Sequence, residues 1–297
     1  MESSGRIILA DNLSVLREMP AESVDLIYID PPFNTGKRRR QVRLRTVASA
    51  EGERAGFQGK RYRAEPLGER SYPDLFDDYL EFLAPRLEEG RRVLARNGSL
   101  YFHIDVREVH HCRILLDAIF GRASFLNEII WAYDYGARTK SRWPAKHDNI
   151  LVYVKDPSRY FFDLEAVARI PYMAPGLVTA EKAARGKTPT DTWWHTIVPT
   201  SGRERTGYPT QKPVGVVERI VLASSRPGDL VLDFFAGSGT TGEVCMRHGR
   251  RFILVDNNPE ALEVMARRFG DRPELEWIGV PPLRDATSGV PDACRGG

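Results

Sequence analysis

The stretch from Val231 to Gly242 reads Val-Leu-Asp-Phe-Phe-Ala-Gly-Ser-Gly-Thr-Thr-Gly. Its first half is typical of a buried strand, and its glycines permit a tight turn and close approach of the backbone to a ligand at the start of a helix. The next apolar run ends in Asp256, about 20 residues past the first glycine, where an acid suits the two hydroxyls of a ribose. The stretch therefore predicts a nucleoside-binding α/β unit.

The identity of the nucleoside is open on this pattern alone. Gly-x-Gly-x-x-Gly also fits a nicotinamide dinucleotide enzyme, and a glycine turn that binds nothing is the third interpretation. Asp233 favours S-adenosyl-L-methionine, because a carboxylate at the mouth of the first strand suits an α-amino group and serves a pyrophosphate poorly. The cofactor-binding candidates in this region are Asp233, Phe235, Gly237, Ser238, Gly239, Thr240, Thr241 and Asp256.

A second motif lies near the other end of the chain. The apolar run from Val24 to Ile29 is followed by Asp30-Pro31-Pro32-Phe33. A carboxylate acceptor, a stiff backbone and a flat ring at one point can grip a planar base by its amino group, although a strand-terminating turn is the structural alternative. In an open α/β sheet, ligands bind at the carboxyl ends of the strands. We therefore expect Asp30 and Asp233 to meet in one crevice if their strands are neighbours.

Short apolar runs alternate with amphipathic stretches along the chain. This pattern predicts an α/β fold with a doubly wound, mostly parallel sheet that resembles a Rossmann fold. Strands are expected at 6–10, 24–29, 99–104, 127–133, 149–155, 229–235 and 251–255. Helices are expected at 13–19, 74–95 (bent or split by Pro85), 107–120, 213–225, 240–248 and 259–269.

Three segments do not follow this alternation. Residues 37–71 are expected to form a long loop or a locally disordered arm, residues 156–206 a target-recognition insertion outside the core, and residues 281–297 a flexible tail. Residues 1–155, which include the basic segment 37–71, and residues 207–280 are then the catalytic half and the cofactor-binding half of one domain.

The net charge is only +3, but it is unevenly distributed. Between Lys37 and Arg70 eleven Lys or Arg residues stand against four Glu. A basic segment beside a base-gripping motif favours phosphate contacts, with a solvated loop as the alternative. In the insertion, Trp193 and Trp194 fit either a wedge between bases or a local hydrophobic plug. The candidate nucleic-acid contacts are Lys37, Arg38, Arg39, Arg40, Trp193 and Trp194.

The composition is that of an ordinary globular protein, at 42% hydrophobic and 28% charged residues among 297. No apolar run approaches the ~18–20 residues of a membrane span, and the N-terminus lacks the apolar core of a signal peptide. Three scattered cysteines fit a reducing cytoplasm and argue against disulfides or a cysteine zinc site. The His110-His111-Cys112 cluster lies in a helical pattern without ligand spacing, so no metal is expected.

The ordered motifs together resemble those of DNA amino-methyltransferases of the permuted β class, over roughly residues 7–269. In that class the catalytic Asp-Pro-Pro-Tyr/Phe motif precedes the recognition region and the cofactor motif follows it; the one departure is Phe33, where Tyr is commoner. The resembling segments are Asp30–Asn34 (catalytic motif), Leu100–Asp105, Asn127–Trp131 and His147–Asn149 (core motifs), Tyr208–Pro213 (the element near the cofactor's methionine end) and Asp233–Thr241 (cofactor loop).

The resemblance implies S-adenosyl-L-methionine as cofactor and double-stranded DNA as substrate, with Asp30, Pro31, Pro32 and Phe33 as the catalytic residues. It adds Thr210, Lys212 and Asp11 as cofactor contacts, although Asp11 fits a helix cap equally well. The target is adenine N6 or cytosine N4, and an Asp at the first position of the catalytic motif favours adenine. A homodimer and a cognate restriction endonuclease are further partners that the family implies. A C5-cytosine enzyme is excluded, because no cysteine follows a proline.

Overall fold

The computed structural model describes residues 3–33, 37–48, 54–55, 61–74, 78–134, 139–199 and 202–279, with side-chain positions outside the range 37–74. The predictions for the tail at 281–297 and for the side chains of Lys37, Arg38, Arg39 and Arg40 therefore fall outside this description.

The first half of the chain forms, in order, β1 (Gly5–Leu9), α1 (Asn12–Glu18), β2 (Val24–Ile29), β3 (Lys37–Ala48), β4 (Arg54–Ala55), β5 (Arg61–Asp74), α2 (Tyr79–Val93), β6 (Leu94–Ile104) and α3 (Val109–Phe120). The second half forms β7 (Phe125–Ala132), β8 (His147–Val154), α4 (Ala180–Arg185), β9 (Thr192–Trp194), α5 (Val214–Ser224), β10 (Leu230–Asp233), α6 (Thr240–Arg247), β11 (Arg251–Asp256), α7 (Pro259–Phe269) and β12 (Leu275–Ile278). Each expected strand and helix is present, with shifted bounds in several cases.

Nine strands form one sheet in the order β12-β1-β11-β10-β2-β6-β8-β7-β9. All neighbours from β12 to β6 run parallel, whereas β8 is antiparallel to both β6 and β7. The prediction of a doubly wound, mostly parallel α/β sheet is confirmed. Strand β2 lies beside β10, with Leu26 opposite Val231 and Ile27 opposite Leu232, so the condition for Asp30 and Asp233 to meet is fulfilled.

Helices cover both faces of this sheet. The apolar side chains of α1, α2 and α3 pack with one face, and those of α5, α6 and α7 pack with the other. Strand β2 shows the alternation, since Leu26 and Tyr28 belong to one cluster while Ile27 and Ile29 belong to the other. A strand buried on both sides reads as a continuous apolar run, which is why its bounds were predictable.

The basic stretch is not a loop. Strands β3 and β5 pair antiparallel from Lys37 opposite Asp74 to Ala48 opposite Tyr62, and β4 pairs with β5 to complete a separate three-stranded sheet. The expectation of a long loop or disordered arm at 37–71 is therefore wrong. Residues 41–45 alternate polar and apolar types with period two, which is a strand pattern that the dense charge obscured.

Two further expectations need correction. Helix α2 begins at Tyr79, where Asp78 caps it by accepting the N–H of Glu81 (2.9 Å), and it continues to Val93 without being split at Pro85. The region 156–206 is not wholly outside the core, because β9 pairs in parallel with β7 and extends the main sheet. Strand β9 is three residues long, which is too short for a period to be detected.

None of the helices in the described part of the chain combines the length and apolarity needed to cross a lipid bilayer.

Candidate active site

The two motifs meet at one edge of the sheet. Asp30 follows β2 directly and Asp233 is the last residue of β10, so both acids lie at the carboxyl ends of neighbouring parallel strands. Both line one cleft of about 270 Å³. Of the predicted catalytic and cofactor residues, all except Gly239 line this cleft: Asp11, Asp30, Pro31, Pro32, Phe33, Thr210, Lys212, Asp233, Phe235, Gly237, Ser238, Thr240, Thr241 and Asp256.

The Asp30 carboxylate has two different environments. Its Oδ2 atom accepts a hydrogen bond from the Lys212 ammonium, and the side chains of this ion pair are only 14% and 10% exposed. Its Oδ1 atom is buried and has no partner among the described residues. Buried acceptors are rarely left without a donor, so this oxygen is available to a ligand that carries one.

Phe33 lies beside this carboxylate. The Lys212 ammonium is 4.8 Å from the centroid of the Phe33 ring, and the ring of His103 is 6.0 Å away on a tilted plane. Lys212 therefore contacts both the acid and the aromatic ring of the Asp-Pro-Pro-Phe motif. The sequence placed Lys212 only near the cofactor, and its contact with Asp30 could not be seen from a separation of 182 residues.

The glycine loop is held in place by the acids that precede and follow it. The Gly237 N–H donates to Asp256 Oδ2 (2.8 Å), and the Asn258 N–H donates to its Oδ1 (2.9 Å). Asp233 accepts from the Thr241 hydroxyl (2.6 Å) and from the Phe235 N–H (3.1 Å). Both carboxylates therefore order the turn as well as line the cleft.

Burial is the main cause that shifts the pKa values of these two acids. Burial raises the pKa of Asp233 to about 7, with Asp30 and Asp256 adding to the rise and the hydrogen bonds from Thr241 and Phe235 opposing it. Burial also raises the pKa of Asp256, against the backbone N–H groups that it accepts. A cationic ligand group beside Asp233 would favour the ionised form of its carboxylate.

Gly239 does not line the cleft. It has a φ of +74° as the residue before α6, and a Cβ there would lie 2.7 Å from Met265 Cγ and 2.9 Å from Phe269 Cζ. This glycine allows α6 to pack against α7, and its role as a cofactor contact stays a prediction. Gly237, with a φ of +51°, forms the turn in the cleft wall beside the Tyr208 ring.

Asp11 is a helix cap and also lies in the cleft, where its contact with the cofactor stays a prediction. It caps α1 by accepting the Ser14 N–H (3.2 Å), and it also lines the cleft, where Arg86 donates to its Oδ2 (2.9 Å). Arg86 and its neighbours Asn12 and Phe82 were missed by sequence reasoning. Arg86 also bonds Asn12, whose side-chain amide donates to the Phe234 carbonyl (2.7 Å), and Phe82 packs against Phe235. They come from α1 and α2, and no motif marks them.

A buried polar chain behind Phe33 was also missed. The Tyr28 hydroxyl pairs with His103 Nδ1 (3.0 Å), and His103 Nε2 pairs with Asp148 Oδ2 (3.3 Å), whose other oxygen accepts from the Tyr133 hydroxyl (3.1 Å). Burial opposes the ionisation of Asp148, but His103, Lys212 and Tyr133 together lower its pKa. The resemblance marked the segments that hold His103 and Asp148 as core motifs, without assigning either residue a role.

The two tryptophans separate. Trp193 is 8% exposed, belongs to the core and donates from its Nε1 to the Thr190 carbonyl (2.7 Å), so it is a hydrophobic plug and not a DNA wedge. Trp194 is 71% exposed and remains a candidate contact, although it does not line the cleft.

In α3, His110 and His111 are exposed and Cys112 is buried. Within the described ranges, no group of acids, histidines and cysteines could hold a metal ion.

Comparison with known proteins agrees with this geometry. A DNA methylase family model matches residues 24–267. The chain is 34% identical over 275 residues to DNA adenine methyltransferase YhdJ of Escherichia coli, covering 89% of this chain and 82% of the relative. It is 30% identical over 264 residues to type II methyltransferase M.HpaI of Haemophilus parainfluenzae, covering 89% and 74%. The solved PvuII cytosine-N4-specific DNA methyltransferase shares the fold, with a TM-score of 0.62, 18% identity, and coverage of 92% and 89%.

The cleft fits S-adenosyl-L-methionine, the cofactor of these enzymes. Asp233 and Asp256 offer carboxylates for an amino group and for ribose hydroxyls, Phe235 and Phe82 form an aromatic wall, and Gly237 leaves room for close approach of the cofactor. The family model includes both the Asp30-Pro31-Pro32-Phe33 motif and the glycine loop that follows Asp233. These are the two motifs that line the cleft. The chain belongs to the N6/N4 DNA methylase family, and it is a DNA methyltransferase.

Proposed function

We propose that this enzyme methylates the exocyclic amino group of a base that is flipped out of duplex DNA, with adenine N6 as the favoured target. The proposal is based on the different environments of the two oxygens of the Asp30 carboxylate. Lys212 holds one oxygen, and the other is buried without a partner among the described residues. A base amino group is a donor that this free oxygen can accept.

Such an amino group is a poor nucleophile, because its lone pair is delocalised into the ring. Hydrogen bonds from the NH₂ group to Asp30 Oδ1 and to the Pro31 carbonyl favour a pyramidal nitrogen with a localised lone pair. The bound cofactor supplies an electrophilic methyl group. Transfer would form the nitrogen–carbon bond while the carbon–sulfur bond of the cofactor breaks and leaves a neutral thioether. The nitrogen would also lose a proton, which Asp30 Oδ1 would accept through the hydrogen bond proposed above. The remaining contribution is orientation of the two reactants.

Phe33 supplies the stacking surface for the flipped base. Base–aromatic stacking contributes ~1–3 kcal/mol and tolerates any base. His103 packs against Phe33 and is fixed by Tyr28 and Asp148, so the aromatic platform rests on a buried hydrogen-bonded support. The assignment of residues 156–206 to target recognition, with Trp194 as a contact, is part of the proposal.

The choice of base rests on two facts. Asp30 stands at the first position of the catalytic motif, whereas in many cytosine-N4 enzymes this motif resembles Ser-Pro-Pro-Tyr and begins with serine. The relative YhdJ is named as a DNA adenine methyltransferase, whereas the PvuII enzyme, which shares the fold, is specific for cytosine N4. Cytosine N4 is therefore the second candidate. A homodimer and a cognate restriction endonuclease stay predictions.

Sequencing with base-level detection of methylation tests the proposal. DNA from cells that express the chain should carry N6-methyladenine at one short sequence, and cells that express Asp30→Asn should lack it. Asparagine preserves the shape of the side chain but removes the charge, so turnover should fall roughly 10²–10⁴-fold while the cofactor still binds. N4-methylcytosine would overturn the choice of base, and near-normal turnover of the variant would overturn the role of Asp30.

A further inference from the structure

A second depression, of about 830 Å³, lies between the segment that precedes Tyr208 and the helices α6 and α7. Two glutamates and six arginines line it. We name it the arginine groove after Arg203, Arg205, Arg247, Arg267, Arg268 and Arg272. The methyl-transfer chemistry uses none of these arginines.

The two glutamates do not neutralise the groove. Glu204 accepts the Val214 N–H (3.2 Å) and so pins the loop, while Glu243 pairs with both Arg247 and Arg268. Arg203 and Arg205 are exposed, and none of the groups whose positions are described accepts from their guanidinium groups. Arg267 and Arg272 pair with Glu263 (3.9 Å) and Glu274 (3.6 Å), which do not line the groove. The excess of positive charge that the groove presents to an anion therefore comes from Arg203 and Arg205.

Arg268 connects the groove with the cofactor cleft. Its side chain is 5% exposed, and its Nη1 donates to the Ser238 carbonyl (2.9 Å) and the Thr240 hydroxyl (3.2 Å), two residues that line the cleft. Its Nη2 atom is buried and lacks an acceptor within the described part of the chain. A buried donor without an acceptor is destabilising, so an oxygen-rich ligand that reaches it would relieve the loss.

We infer that the arginine groove binds backbone phosphates of the DNA that flanks the target base. Several arginines along one groove suit successive phosphates, which position a duplex without reading its sequence. A free nucleotide fits less well, because Met246 and Val264 are the only apolar residues among the described residues of the lining, and none of these carries an aromatic ring that could stack on a base. The inference rests on the proposed function, which supplies the duplex.

Fluorescence anisotropy with the full chain and a labelled duplex of mixed sequence tests the inference over a series of KCl concentrations. The variant Arg203→Gln/Arg205→Gln removes the two unpaired charges. Its matched control is Arg17→Gln/Arg122→Gln, which removes two exposed arginines on the opposite face of the sheet. Each lost phosphate contact should reduce the slope of log affinity against log salt by about 0.9, so the groove variant should lose roughly 1.8 and the control nothing.

Binding of S-adenosyl-L-methionine should be the same in all three proteins. An unchanged slope in the groove variant, or an equal loss in the control, would overturn the inference. So would ATP binding that the groove variant abolishes while its DNA slope stays normal, because the groove would then be a nucleotide site. If the proposed function is wrong, DNA from cells that express the unaltered chain will carry no methylated amino group. That result does not depend on how salt affects DNA binding, so the two failures can be distinguished.

Discussion

Lys212 connects the two motifs of the active site through its two ends. Its ammonium group pairs with Asp30 and lies over Phe33, and its backbone carbonyl accepts from the Thr240 hydroxyl (3.1 Å) at the start of α6. A charge-assisted hydrogen bond in a mostly buried position fixes the orientation of the carboxylate. Under the proposed function, Lys212 leaves Oδ1 of Asp30 to accept the amino group of the base.

Replacing Lys212 with Met should lower turnover by roughly 10–100-fold, because a carboxylate that can rotate no longer presents one oxygen to the amine. Cofactor affinity, measured by calorimetry, should change little. Lys212→Arg is the matched control, since it keeps the charge and should recover part of the rate. Higher turnover in Lys212→Met would contradict this role. It would show that the Lys212 ammonium blocks the position at Asp30 that the amino group of the base occupies.

Asp233 should make cofactor binding depend on pH if its carboxylate binds the α-amino group. Its pKa of about 7 in the folded chain lies above the usual value for an aspartate, so the carboxyl is protonated below pH 7 and ionised above it. A cationic α-amino group binds the ionised form, and affinity should therefore rise as the pH increases from about 5.5 to 7. Titration calorimetry should show this rise in the wild type. Asp233→Asn should remove that part of the dependence, and an unchanged pH profile in the variant would exclude Asp233 as its source.

At the scale of elements, the junction of β10 with α6 depends on Gly239. The residue combines a φ of +74° with no room for a Cβ against α7, whereas Gly249, which follows α6, has a φ of +68° and open space around its missing Cβ. The two glycines share the backbone conformation and differ only in the packing around them.

Gly239→Ala should reduce the free energy of unfolding by more than Gly249→Ala. Both substitutions place alanine in the left-handed region, at a cost of ~1–2 kcal/mol. Only the first also forces Met265 and Phe269 apart, which adds ~1–3 kcal/mol for overpacking. Urea unfolding followed by circular dichroism measures the difference. Equal losses of unfolding free energy in the two variants would mean that α7 can shift to make room for the Cβ. Gly239 would then be required only for its positive φ.

At the scale of the whole molecule, the basic sheet β3–β5 is an insertion between β2 and α2. It does not pair with the nine-stranded sheet, and its base lies four residues after Phe33 along the chain. Lys37 and Asp74 are opposite each other in the register, so the insertion leaves and returns at one point. This geometry suits an arm that contacts DNA beside the flipped base.

Replacing residues 37–74 with a short Gly-Ser turn should leave cofactor binding intact and weaken DNA binding. A companion protein with Lys37, Arg38, Arg39 and Arg40 changed to Gln keeps the arm but removes the charges. If all four contact phosphates, its salt slope should fall by roughly 3.6, at about 0.9 for each. Loss of cofactor binding in the deletion would show that the arm stabilises the fold, and an unchanged slope in the companion would exclude the four residues.

The central strands, the flanking helices and the meeting of two acids could be predicted, because apolar runs and acids at strand ends obey rules that act locally. The contacts that complete the site could not be. Lys212 with Asp30, Arg86 with Asp11, and Tyr28 with His103 join residues separated by 182, 75 and 75 positions. Strands β9 and β12 are three and four residues long and exist only through pairing at the edges of the sheet.

The neighbouring positions of β2 and β10 affect how the enzyme is made. During synthesis on the ribosome, β2 emerges some 200 residues before its partner β10. The edge of β2 that pairs with β10 therefore stays unpaired until most of the chain has been synthesised. Closing so large a loop is entropically costly and slows folding. A chain that terminates before β10 therefore lacks the wall of the cleft that Asp233 and the glycine loop form.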